Sequence, residues 1–448
     1  MASTPAADSG SSEDDAADEP RSPRSQRAAV LAAVVLAGGL VLGALVWRAW
    51  PSAAAVPAAP AVALAAPALA LTAASPFVAT PAAKYRIPAL LALPARDGAG
   101  ETLLAFAERR PSMKDDGDID IVLRRSTDGG RTWTAEMTVC DFGADACTNP
   151  SPVQDDLGRV HLLLSRTAAG AGEYSGHVNR TVWVTLSNDA GLTWAFPREI
   201  TKSTKLPEWE WYATGPGHGV RLQRQPVESG RNGRLIVPCD HWQWIHSGSW
   251  PFRSKRKRFR SHVILSDDRG ESWRLGSVLG EPQDAQSNEA SVVERLDGVL
   301  VLAARNQACS YFAVCPRLLS TSLDAGETWF QEYEQHDLPS ATSQGALAAL
   351  RPGTAHESSA AAWVPDGRPE VLLFSRPVTK GRRDLQIAAS IDGGLSWPGN
   401  ASVLVHEGAA GYSDAQALND GSVAVLFERG DACLNFARVR PAARLAFT

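Results

Sequence analysis

An all-β chain organised as a propeller is what this sequence predicts, and three observations carry the expectation. One pattern, S-x-D-x-G-x-[ST]-W, occurs five times. Its copies start 61, 79, 56 and 68 residues apart, and a short strand pattern precedes each. The copies are Ser126–Trp133, Ser187–Trp194, Ser266–Trp273, Ser322–Trp329 and Ser390–Trp397, with strand patterns such as Ile119–Leu123, Val182–Leu186 and Val263–Leu265 ahead of them. A hairpin repeated at such intervals through a β-rich chain is the signature of radially arranged sheets.

Each fixed place in the pattern has a physical reason. The aspartate can accept hydrogen bonds from turn amides, and the glycine permits the positive φ of a tight hairpin. The hydroxyl can close the turn, and the tryptophan anchors it on its sheet. These boxes mark the fold and are assigned no chemical role.

The chain has 448 residues and a formal net charge of −5, which argues against nucleic acid as a partner. Residues 76–448 are long enough for one large β domain. The 6 cysteines are Cys140, Cys147, Cys239, Cys309, Cys315 and Cys433. None has a C-x-x-C spacing, and the histidines show no ligand spacing, so no metal and no cofactor is expected. Cys140 with Cys147, and Cys309 with Cys315, are close enough in sequence to bridge local loops; free buried thiols are the alternative.

The N-terminus reads differently. Residues 1–27 are polar and acidic, then arginine-bearing, and are expected to form a disordered cytoplasmic tail. Ala28–Trp47 is uncharged and, as a helix, about 30 Å long, enough for a single transmembrane signal anchor. Arg21, Arg24 and Arg27 upstream of it predict a type II orientation, with the body lumenal (Golgi or another endomembrane) or extracellular. A cleaved signal peptide is the competing reading, given the A-x-A sequences that follow. Residues 48–75, rich in Ala and Pro, read as a stalk. The sequons at Asn179 and Asn400 agree with a body outside the cytosol.

Beyond the repeats, Tyr85-Arg86-Ile87-Pro88 and the five boxes together make the chain from about Pro81 onward resemble the sialidase (exo-α-sialidase, neuraminidase) family, in its animal and bacterial forms. The resemblance implies a six-bladed β-propeller that hydrolyses terminal sialic acid from glycoproteins, glycolipids or oligosaccharides. Sialic acid carries a carboxylate on its anomeric carbon, and arginine pairs with carboxylates bidentately without losing its charge. The implied arginine triad is Arg86, Arg305 (VLVLAARNQ) and Arg382 (GRRDLQIAAS). GAAGYSDAQAL resembles the family's nucleophile strand and assigns that role to Tyr412, with Glu289 in NEASVVERLDG as its base. The loop after AERRPSMKDDGD implies Asp115 as general acid/base, its pKa raised when the loop closes over substrate. By the same resemblance Arg110 and Glu108 face the sugar's 4-hydroxyl side, Glu428 orients the first arginine, and Asn149 serves the amide side. TGPGHGVRL (Thr214–Leu222) and CTNPSP (Cys147–Pro152) are expected to line the pocket.

The stretch IVPCDHWQW departs from animal cytosolic-type relatives, which carry two tyrosines over the glycerol tail; here Asp240 and Trp242 stand there. That predicts activity on N-acetylneuraminic acid with altered tolerance for tail modification and a route to its deaminated analogue, Kdn. The run Arg253–Arg260 reads as an exposed loop leading into the strand before the third box. Two rival functions are a trans-sialidase, built from the same residues, and a non-catalytic sialic-acid-binding propeller. The second predicts loss of Asp115, Glu289 or Tyr412, and all three are present. Oligomeric state is not legible.

Overall fold

The computed structural model describes residues 69–70, 75–94, 100–171, 179–247, 254–279, 286–351, 363, 368–439, 445 and 447, all within the compact unit Ala61–Thr448. The expected tail (1–27), membrane span (28–47) and most of the stalk (48–75) lie outside the described residues. Among the described residues no helix is long and apolar enough to cross a membrane.

Strand β1 (Leu69–Ala70) lies at the end of the segment read as stalk. A first antiparallel sheet follows, formed by β2 (Lys84–Pro94), β3 (Glu101–Arg110), β4 (Asp120–Ser126) and β5 (Met137–Cys140). A second holds β6 (Ala146–Gln154), β7 (Val160–Thr167), β8 (Thr181–Ser187) and β9 (Arg198–Glu199). The third holds β10 (Trp211–Thr214), β11 (Val220–Arg221), β12 (Leu235–Ser247), β13 (Ser254–Ser266) and β14 (Arg274–Val278); β10 and β11 both pair with β12. The fourth holds β15 (Ser287–Glu294), β16 (Leu300–Asn306), β17 (Val314–Ser322) and β18 (Tyr333–Ala341).

The last sheet has seven strands: β19 (Ala346–Leu350), β20 (Val371–Thr379), β21 (Arg383–Ser390), β22 (Ser402–Ala417), β23 (Val423–Arg429), β24 (Cys433–Val439) and finally β1. Six separate blades were expected, and the described residues form five sheets. The reason lies in β22, whose 16 residues run unbroken from one strand group to the next. Ser402–Ala409 pair with β21, and Ala410–Ala417 pair with β23.

Inner strands close the ring. β2 packs on β6, β6 on β10 and β12, β12 on β15, β15 on β19, β19 on β22, and β22 back on β2. Apolar clusters fill the spaces between successive sheets, such as Leu104, Phe106 and Leu123 against Leu162 and Leu164. Burying each such side chain contributes roughly 1.5–3 kcal/mol.

The five boxes form the turns between third and fourth strands of their sheets, as at β4–β5 and β8–β9. In the first, Asp128 accepts from the Thr132 amide at 2.9 Å and the Thr132 hydroxyl at 2.6 Å. These bonds pull the Asp128 carboxyl down to about 2. Gly130 has φ 85°, and its amide donates to Ser126 Oγ at 2.8 Å. The fifth box forms the β21–β22 turn of the seven-stranded sheet, whose far edge is completed by β1 pairing with β24 rather than by a further box.

One reading is corrected and one open alternative is decided. The basic run is not a loop: Ser254–Arg260 extend β13 and pair with His241–Ser247 of β12. Of the two cysteine pairs, Cys309–Cys315 is a disulfide, whereas Cys140 and Cys147 are free thiols with sulfurs 2.7 Å apart.

Candidate active site

Strand ends converge at one mouth of the ring, and the chemistry-bearing residues collect there. Tyr412, on the C-terminal half of β22, donates its phenol proton to Glu289 Oε1 of β15 at 2.5 Å. Arg305 Nη1, near the end of β16, reaches both Glu289 Oε2 at 2.9 Å and the phenol oxygen at 3.0 Å. The β15–β16 register shifts between Ser287 and Ala290, which places Glu289 on the irregularity rather than in the regular ladder.

A buried carboxylate ties β22 to Arg86. Glu428 Oε1, on β23, accepts from Arg86 Nε at 3.0 Å and the Ile87 amide at 3.1 Å. Its other oxygen accepts the Tyr412 amide at 3.1 Å. Burial pushes the Glu428 carboxyl up, but Arg86, Arg382 and the two amides pull it below the ordinary range. Ile87 is β-branched and sits at φ 55°, a backbone cost of about 1–3 kcal/mol that the Glu428 contact holds in place. Arg382, also left-handed at φ 58°, donates Nε to the Thr342 carbonyl at 3.0 Å. Its guanidinium lies 5.1 Å from the Tyr412 ring centre, and that of Arg86 lies 5.4 Å away.

Those cations oppose what burial does to the phenol. Burial raises the Tyr412 pKa, Glu289 adds to the rise, and Arg305, Arg382 and Arg86 lower it; the net direction is up. The phenol therefore holds its proton in the pocket as it stands, directed at Glu289.

On the opposite wall, Asp115 Oδ1 accepts from Arg86 Nη1 at 2.8 Å and Arg110 Nη1 at 2.6 Å. The Asp115 side chain is 41% exposed, the most open of this group. Burial raises its pKa, but Arg110 and Arg86 outweigh it, and the carboxyl lies below its ordinary value. The expected upward shift is thus not a property of the pocket as it stands. Arg110 in turn donates Nε to Glu108 Oε2 at 2.7 Å, and both are buried. The remaining Glu108 oxygen accepts the Asn149 amide at 2.7 Å, where the backbone is left-handed at φ 58°.

The cavity these groups surround has a volume of about 410 Å³. Arg86, Glu108, Arg110, Asp115, Asn149, Trp242, Glu289, Arg305, Arg382 and Tyr412 line it. Glu428 lies behind the wall, holding Arg86. Asp240 does not line the cavity: it is fully buried beneath it, where its charge supports that of Arg305. Strand alternation would put both Asp240 and Trp242 on one face, but the larger indole reaches the wall and the short carboxylate stays below. Thr148 and Asn149 line the cavity, whereas Thr214–Leu222 does not. His218–Arg221 open instead on a second hollow lined by inner strands, with Val153, Val292, Ala348 and Ala415.

Among the lining residues that motif context did not nominate are Arg180, Tyr311 and Lys257. Arg180 donates to Asn149 Oδ1 at 3.1 Å and lies 4.5 Å from the Trp211 ring centre. Tyr311 lies under the Arg382 guanidinium at 5.1 Å, and it sits inside the Cys309–Cys315 loop, the one cue available in sequence. Lys257, from the basic run, places Nζ 4.2 Å from the Trp242 ring centre. Among the described residues no group of His, Cys, Asp and Glu could hold a metal ion.

A family model for the BNR repeat-like domain matches residues 101–425. A sialidase of Micromonospora viridifaciens is 30% identical over 365 residues, which is 77% of this chain and 50% of that protein. A sialidase of Bacteroides fragilis is 27% identical, and the chain spans 62% of its length. Sialidase-3 of Bos taurus is 30% identical over 388 residues, 77% of this chain and 86% of that protein. Among solved structures, a Hadza microbial sialidase superposes with a TM-score of 0.64 at 26% identity, covering 80% of this chain and 66% of its own. The intramolecular trans-sialidase of Ruminococcus gnavus, at 18% identity and TM-score 0.60 over 81% of this chain and 96% of its own, shows the shared fold. The repeat model covers most of the chain, and the bovine relative aligns along most of both lengths: the protein belongs to the sialidase family.

Proposed function

We propose that the protein is a retaining exo-α-sialidase with Tyr412 as nucleophile. The observation that carries this is the phenol of Tyr412, bonded at 2.5 Å to Glu289 and ringed by three guanidinium groups. The arginines suit a substrate whose reacting carbon bears a carboxylate. A carboxylate nucleophile would face that anion at about 4 Å, a repulsion on the order of 4 kcal/mol at an effective dielectric of 20. A neutral phenol avoids it.

In this reading the substrate carboxylate pairs with Arg86, Arg305 and Arg382. Taking the Arg86 Nη1 bond from Asp115 removes one of the charges that depress the Asp115 carboxyl, and the sugar desolvates it further, so it gains a proton. Asp115 then gives that proton to the glycosidic oxygen as the bond to the leaving group breaks. Glu289 takes the phenolic proton, and the phenolate oxygen bonds to the anomeric carbon. Water next attacks that carbon, Asp115 accepts its proton, and the departing phenolate recovers its own from Glu289. Two displacements retain configuration. The seven-stranded sheet is read as two blades sharing β22, giving the six-bladed ring that the resemblance implies.

Incubation with a fluorogenic sialoside tests the activity, with proton NMR of the first-released sugar expected to show the α-anomer. Tyr412→Phe is expected to lose most hydrolysis while still binding a sialic-acid transition-state analogue. Full turnover by that variant, or a β-anomer as first product, refutes the mechanism. With lactose present, free sialic acid is expected rather than a sialylated acceptor. N-acetylneuraminic acid is the proposed substrate, with Asn149 and Arg180 beside Trp211 on the cavity wall. Residues 28–47 are proposed as a type II anchor, for which protease treatment of sealed microsomes should spare the propeller.

A further inference from the structure

Between the fourth sheet and the seven-stranded sheet lie two arginines that the site does not use. Arg317 on β17 is 2% exposed, and Arg376 on β20 is 4% exposed. The Arg317 guanidinium lies 5.0 Å from the ring centre of Phe374, two residues from Arg376 along β20. Arg376 reaches back across the same gap, donating Nε to the Pro339 carbonyl at 2.8 Å. Pro339 is the cross-strand partner of Pro316, the residue before Arg317. The two side chains thus share one inter-sheet space.

Neither has an acidic partner within ion-pair distance among the described residues. The acids whose charge reaches them are engaged elsewhere: Glu289 with Tyr412 and Arg305, and Asp337 with the Trp397 amide. Arg317 spends one donor on the Ser343 carbonyl at 2.5 Å. Its Nε and Nη2, Arg376 Nη1, and the hydroxyls of Ser340 and Ser343 are all buried without an acceptor or donor. A buried charged group without compensation costs several kcal/mol, so such a cluster of orphaned donors calls for an occupant. A small cavity stands at the place, lined by Arg317, Ser340, Thr342 and Asn306, with about 10 Å³ for the centre of a water-sized particle. That is room for one atom.

We infer that this cavity binds a single small monovalent anion, a halide such as chloride, on Arg317 Nε and Nη2 beside Ser340 and within the field of Arg376. A water molecule could accept the same hydrogen bonds but would supply no charge against two buried cations. Burial pulls the Arg317 guanidinium down to about 9 and that of Arg376 to about 10, the direction expected for cations lacking a counter-charge. The site stitches β17 and β18 to β20, and its donors are not used in the proposed hydrolysis, so the assignment does not depend on that reading. Adjacent to it, the Cys309–Cys315 disulfide carries the loop that brings Tyr311 to the active-site wall.

The test has two arms. In crystals of the protein grown or soaked in sodium bromide, an anomalous peak is expected within hydrogen-bond distance of Arg317 Nε. In solution, replacing sodium gluconate by sodium chloride at constant ionic strength should raise Tm by a few degrees, saturably. Arg317→Met should remove the chloride dependence. Ser340→Ala, a smaller change that keeps the fold testable if the first variant fails to express, should shift the saturation to higher chloride. A site filled by ordered water without anomalous signal, or equal Tm in both salts, overturns the assignment.

Discussion

Replacing Glu428 by glutamine should separate positioning from chemistry. The wild-type carboxylate accepts three hydrogen bonds, from Arg86 Nε, the Ile87 amide and the Tyr412 amide. A glutamine has one acceptor oxygen. Placed at Oε1 it keeps Arg86 and Ile87, but its NH2 then faces the Tyr412 N–H, donor against donor. Placed at Oε2 it keeps only Tyr412 and turns donors toward Arg86 and Ile87. Either way the Arg86 charge loses its buried partner, a change worth about 3–5 kcal/mol. At on the order of 2 °C per kcal/mol for a domain of this size, Tm should fall by about 6–10 °C. Because Ile87 is held left-handed by the same carboxylate, Arg86 should also drift from the pocket, raising KM more than it lowers kcat. Calorimetry and steady-state kinetics on a sialoside measure both effects. A glutamine variant with Tm within about 1 °C of wild type and an unchanged KM would refute the reasoning.

Three more outcomes are expected. Asp115→Asn should cut turnover of natural sialosides by about 100-fold or more and that of aryl sialosides far less, since good leaving groups need little protonation; equal losses would remove Asp115 from the acid role. Buried His262 stays neutral down to about 3, its Nδ1 3.1 Å from Nδ1 of His241, whose pKa burial also lowers. The unfolded chain protonates His262 below about 6.5 and the folded one does not, so this contribution is full above that pH and lost as pH falls toward 3, at up to about 1.4 kcal/mol per pH unit. His262→Gln should therefore flatten the acid limb of a denaturant-stability profile, and a parallel limb would count against it. Gly130→Ala puts a methyl group into the Phe436 ring at φ 85°, whereas Gly143→Ala, at φ 66°, meets nothing within 4 Å. The first should cost about 2–4 kcal/mol and the second about 1 kcal/mol, the left-handed penalty alone; equal costs would show that the packing against Phe436 is slack.

The sequence by itself determined what is local. Each box closes within eight residues, so Ser126, Asp128, Gly130 and Thr132 specify their own hydrogen bonds without help from the rest of the chain. Spacing of five such turns then implies a ring of sheets. Motif context likewise nominated Tyr412, Glu289 and the three arginines, which strand order brings from β2, β15, β16, β22 and the turn before β21 to one cavity.

Tertiary structure decided whatever depends on which neighbour a side chain meets. Asp240 and Trp242 stand two residues apart on one strand, yet depth beneath the cavity floor separates a buried charge under Arg305 from a wall residue. Lys257 reads as one cation in a solvated run until pairing with β12 lays it over Trp242. Asp115 could be named from sequence, but the direction of its pKa follows from Arg86 and Arg110, the first of them 29 residues away. The blade count turned on β22 running unbroken between strand groups, and Arg317 on what fails to reach it across a sheet interface. Hydrogen bonds inside a turn are written in a few adjacent residues; burial, charge balance and side-chain reach are sums over neighbours that only the closed ring brings together.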